Sequence, residues 1–70
     1  MAYNSETVKD LIRLGATLKI SGSYNSETLK DFIRLANSHN VHLTIVVDGL
    51  NSETLKDLVR LGKNNLTLEI

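Results

Sequence analysis

The sequence predicts an α/β fold: a two-layer (αβ)3 arrangement with three helices on one face of a three-stranded parallel sheet in order 1-2-3. Three observations predict it. A helix-like segment recurs without gaps at residues 4–15 (NSETVKDLIRLG), 25–36 (NSETLKDFIRLA) and 51–62 (NSETLKDLVRLG). A β-rich run follows each copy, at residues 16–20, 41–47 and 66–70. Within these runs apolar and polar residues alternate, so one sheet face is apolar and the other polar, which puts every helix on a single side. Residues 1–70 are therefore expected to form one domain of three helix–strand repeats, 4–20, 25–47 and 51–70.

Each helix carries its own start signals. In the first, Asn4 is a good N-cap, because its side-chain oxygen can accept from an orphaned backbone N–H. Tyr3 before the cap and Val8 at the fourth helical position make a hydrophobic staple, and Glu6 favours the positive end of the helix dipole. Val8, Leu11, Ile12 and Gly15 form an apolar stripe that Leu14 widens. Lys9, Asp10 and Arg13 lie opposite, with both signs interleaved, as on a solvated face. Gly15 suits a left-handed C-terminal position. In the strand that follows, Leu18 and Ile20 share one face and Thr17 and Lys19 the other.

The second copy repeats the pattern with Asn25, the staple Tyr24–Leu29 and Glu27. Its helix runs on to Asn40, which can take the left-handed terminal position. Val41, Leu43, Ile45 and Val47 then alternate with His42, Thr44 and Val46. The third copy has Asn51, the staple Leu50–Leu55, Glu53, and Gly62 where Gly15 stands in the first. Leu66, Leu68 and Ile70 alternate with Thr67 and Glu69. Right-handed crossovers place the connecting helices on one side if the strand order is 1-2-3. Order 2-1-3 would cover both faces, which the threonine-rich face opposes. The polar face should carry Thr17, Thr44 and Thr67 in one row and Lys19, Val46 and Glu69 in the next.

The alternation of a short strand and a helix, with leucine at fixed places in segments such as NNLTLEI and SETLKDLVRLG, resembles the leucine-rich repeats. Where that family places an Asn after the strand, this chain has Ile20-Ser21-Gly22 and Val47-Asp48-Gly49. The near-identical copies and consistent caps also resemble an idealised, designed or consensus α/β-repeat protein. That resemblance implies a scaffold without catalytic activity. A recently duplicated natural peptide is the other origin compatible with the copies.

Composition bounds the function. Seventy residues bury only about 60% of the unfolded surface, so the core is small. There is no cysteine and no proline, hence no disulfide framework, thiolate zinc site or cysteine nucleophile. Eight Lys+Arg balance eight Asp+Glu, which argues against electrostatic binding to nucleic acid or to a membrane surface. No run approaches the ~18 apolar residues of a spanning helix. Met1-Ala2-Tyr3-Asn4 lacks the basic and apolar regions of a targeting signal, so a cytoplasmic location is expected on expression in a cell.

Chemistry-bearing residues do not assemble. His39 and His42 straddle the helix-to-strand junction with no carboxylate at ligand spacing, so no metal site is expected. Ser21-Gly22-Ser23 and Asp48-Gly49 each lead into a helix N-terminus, but neither is a phosphate-binding glycine motif. Ser21, His42 and Asp48 fail as a triad because strand rise separates His42 from Asp48 by about 20 Å. Asn65-Leu66-Thr67 matches a glycosylation sequon but falls in a strand. Catalytic residues, metal and cofactor are thus expected to be none. The candidate interaction face is Thr17, Lys19, His42, Thr44, Val46, Thr67 and Glu69; a natural interaction module would bind a protein partner through this face or through a free edge strand. The two unpaired sheet edges leave both a monomer and a homo-oligomer open.

Overall fold

A computed structural model describes residues 3–47 and 49–70; Met1, Ala2 and Asp48 lie outside them. The elements follow in the expected order: α1 (Ser5–Arg13), β1 (Leu18–Ser21), α2 (Ser26–His39), β2 (Leu43–Val46), α3 (Ser52–Gly62), a 3-10 turn (Lys63–Asn65) and β3 (Leu66–Glu69). The strands are parallel in order β1-β2-β3. α1 packs beside α2 and α2 beside α3. The shortest dimension, 18 Å, suits one helix layer on one sheet.

The three helix starts are the same structure built three times. Asn4, Asn25 and Asn51 have extended backbone, and each side-chain oxygen accepts the backbone N–H of Thr7, Thr28 and Thr54 at 2.8 Å. Replacing Asn25 with alanine should therefore cost about 1 kcal/mol, read as a lower urea midpoint with unchanged slope. An unchanged midpoint would mean that the cap carries no stability.

The helix ends diverge. After α1, Gly15 adopts φ 94°; its N–H donates to the Ile12 carbonyl and that of Ala16 to the Leu11 carbonyl. This pair of bonds closes a Schellman end. Asn40, at φ 55° and ψ 46°, ends α2 the same way, with Val41 N–H donating to Ala36. Gly62 corrects the expectation. It is helical, at φ −81° and ψ −31°, and the positive φ falls on Lys63. Gly62 is needed for space, because a Cβ there would lie 2.5 Å from the Cβ of Leu66.

β1 also departs from expectation, starting at Leu18 because the Schellman end occupies Gly15 and Ala16. The registers run Leu18–Leu43–Leu66, Lys19–Thr44–Thr67, Ile20–Ile45–Leu68 and Ser21–Val46–Glu69. The first and third of these rows face the helices. The core is centred on the middle copy: Leu29, Phe32, Ile33 and Ala36 of α2 lie over Leu43 and Ile45 of β2. Val8, Ile12, Ile20, Val41 and Leu58 complete it, and no polar side chain is buried among the described residues. The Phe32 ring meets Tyr24 edge to face, with centroids 5.1 Å apart.

Candidate interaction surfaces

The polar sheet face is uncovered, as expected, but its rows are not those expected. Thr44 and Thr67 stand beside Lys19, and Val46 and Glu69 beside Ser21; Thr17 precedes β1 and is exposed. A two-residue shift of β1 accounts for this, since it moves Thr17 out of the row while keeping every side chain on its face. The charges of the face satisfy one another. Lys19 Nζ lies 2.9 Å from a Glu69 carboxylate oxygen, a pair that bridges from β1 to β3 across the central strand. His42 Nε2 and Thr67 Oγ1 are 2.6 Å apart. What remains is a flat surface of threonines with half-buried Val46, carrying no net charge.

The other candidate groups are kept apart or already engaged. Ser21 sits at the C-terminal end of β1 beside Val46, whereas His42 precedes β2 and reaches Thr67, so the sheet length of roughly 13 Å separates them. The Ser21 hydroxyl is hydrogen-bonded to that of Ser23 and accepts the Ser23 N–H, while the N–H of buried Gly22 donates to the Val46 carbonyl. The Gly22 and Ser23 N–H groups of that loop are thus engaged within the protein itself. Gly49 takes φ 75°, as a turn residue would, and Asp48, named for the triad and the second loop, is outside the described residues. His39 is exposed at the end of α2. Among the described residues no three His, Asp or Glu side chains could together hold a metal ion. None of their helices is long and apolar enough to cross a membrane.

Sequence reasoning marks the two open sheet edges but misses the apolar helix flanks that stand above them at the two ends of the stack. Leu14, expected to widen the buried stripe, is 84% exposed, whereas Leu35 and Leu61 at the same repeat position pack against the core. Between α1 and β1 at the same end of the stack, a mostly apolar groove of about 310 Å³ is lined by Tyr3, Val8, Leu11, Leu18, Ile20 and Tyr24. At the opposite edge Val59 is 48% exposed, although Ile12 and Ile33 at its repeat position are fully buried. Val59 lines a hollow of about 350 Å³ with Leu55 and Leu68. The signal was in the repeat: a helix apolar at both Val8–Ile12 and Leu11–Leu14 has two flanks, and a terminal copy has a neighbour on only one.

Comparison with protein-family models, with curated proteins and with solved structures finds no match for this chain.

Proposed function

We propose that this chain is a non-catalytic α/β-repeat scaffold, of the idealised or consensus kind, that associates with further copies of itself. One observation carries the reading: helix positions that are buried (Ile12 and Ile33) or half-buried against the core (Leu35 and Leu61) in two copies stand open in the third, as Val59 at one end of the stack and Leu14 at the other. Apolar flanks left uncovered in a small domain favour association, because they bury area that the monomer cannot. The absence of an enzymatic role is supported by the separation of Ser21 from His42 and by the internal engagement of the Gly22 and Ser23 N–H groups in the loop between β1 and α2. Light scattering across a concentration series tests the proposal; mass should rise from one chain upward, and the thermal midpoint should rise with concentration. A single-chain mass at millimolar concentration, with a fixed midpoint, would refute it.

A second reading, a protein partner seated on the polar sheet face, is favoured by Val46, an aliphatic side chain on an otherwise polar surface. Thr44→Lys separates the two. If the face is only solvated, the variant should keep the wild-type mass profile and change stability by no more than about 0.5 kcal/mol. A dissociated assembly with intact helical circular dichroism would instead place the contact on this face.

A further inference from the structure

Resting on the reading that the chain self-associates, we infer that its contact runs head to tail, with the α3–β3 end of one copy docked on the α1–β1 end of the next. The chain already builds this seam twice. Repeat equivalence assigns Leu29 and Ile33 to the forward flank of α2, since their α3 equivalents Leu55 and Val59 are more exposed, and Leu58 and Leu61 to the rear flank of α3, since their α1 equivalents Leu11 and Leu14 are more exposed. Below them the apolar rows continue in register, Leu43 beside Leu66 and Ile45 beside Leu68. The two open ends of the molecule are the two halves of that seam. Leu55 and Val59 are the forward flank of the last copy, and Leu11 and Leu14 are the rear flank of the first.

Charge supports the same pairing. Lys30 Nζ lies 4.0 Å from an Asp57 carboxylate oxygen across the α2–α3 seam. At the repeat-equivalent positions, Lys9 and Lys30 are 23% and 22% exposed, but Lys56 is 60% exposed and, among the described residues, pairs with Glu53 on its own helix and with nothing across a seam. Asp10, equivalent to Asp57, stands exposed on the rear of α1, bonded within α1 to Arg13. Docking an α3 end on an α1 end brings Lys56 to the partner's Asp10, as Lys30 comes to Asp57. It also sets the outer edge of β3 parallel to the partner's β1, with Leu66 beside Leu18 and Leu68 beside Ile20. Both edges then gain the backbone partners that an edge strand lacks.

Because the contact joins unlike surfaces, it does not close at two copies. Any assembly continues as a chain of copies or closes as a larger ring, unlike a symmetric dimer joined β1 to β1 or β3 to β3.

Complementation tests this. Leu14→Glu blocks the rear end and Val59→Glu the forward end, both at exposed positions. By light scattering, wild type should exceed the mass of two chains at high concentration. Each variant alone should be a single chain, and an equimolar mixture should form a two-chain species that grows no further. A dimer lost in one variant, kept in the other and unchanged on mixing would overturn head-to-tail docking while leaving self-association standing. Full assembly of both variants would overturn it equally. A wild type that stays a single chain overturns both this inference and the reading beneath it. If either glutamate variant loses its helical circular dichroism, Lys56→Asp and Asp10→Lys replace the pair. Each should weaken assembly alone and their mixture should restore it; no recovery on mixing would overturn the inference.

Discussion

Replacing Phe32 with alanine should lower the unfolding free energy by about 3–5 kcal/mol. That is a large share of the roughly 4–10 kcal/mol that ~0.05–0.15 kcal/mol per residue supplies to a domain of this size. Phe32 is the largest fully buried side chain, set among Leu29, Ile33, Leu43 and Ile45 beneath the helix layer. Its edge-to-face contact with Tyr24 adds about 0.5–1.5 kcal/mol beyond the area it buries. The other two copies carry Leu11 and Leu58 at this position, so Phe32→Leu is the natural control and should cost well under half as much. Urea unfolding followed by circular dichroism measures both. A loss below about 1.5 kcal/mol for the alanine variant would mean that the core collapses around the gap, against the central place given to this ring.

Gly62→Ala is the second large effect, and its sign is the informative part. By helix propensity alone, alanine in a helix is better than glycine by about 1 kcal/mol. Here the new methyl would meet Leu66 Cβ at 2.5 Å, a contact that only movement of β3 or of the helix end can relieve. A net destabilisation of about 1–3 kcal/mol is expected. Gly15→Ala meets nothing within 4 Å, and its cost comes from φ 94° instead. The two glycines occupy one repeat position and are required for unrelated reasons. A raised unfolding midpoint for Gly62→Ala would show that the helix end has room after all.

Much of this fold is legible in the residues. The caps at Asn4, Asn25 and Asn51 combine a strong propensity with a local hydrogen bond, so each is decided within four residues. The alternation through Leu43 and Ile45 against Thr44 and Val46 fixes the sheet faces, and one polar face fixes the layer count. The misplaced row of Thr17 has a definite cause. A period of two is blind to a shift of two, so only the geometry of the Gly15–Ala16 turn sets where β1 begins. Identity with Gly15 implies the same φ for Gly62, whereas the constraint there comes from Leu66 through space. The open sheet edges are legible in sequence, but the exposed helix flanks above them are not, for a similar reason. Leu14 and Leu35 read alike in sequence, and only the position of the copy in the stack distinguishes them.

The middle copy is gripped from both sides, whereas each outer copy is gripped from one. Asn37 of α2 strengthens one of these grips, donating to the Leu61 carbonyl and accepting from the Asn65 amide. No equivalent clasp from α2 reaches α1 among the described hydrogen bonds. In a stack held by nearest-neighbour seams, structure is lost from the least-held end. The first helix lacks that clasp but is held by its seam with α2 and by the Tyr24 hydroxyl, which donates to the Tyr3 carbonyl just before it; opening is therefore expected to start in an outer copy, and the backbone amides of Leu43–Val46 should be the last to meet solvent.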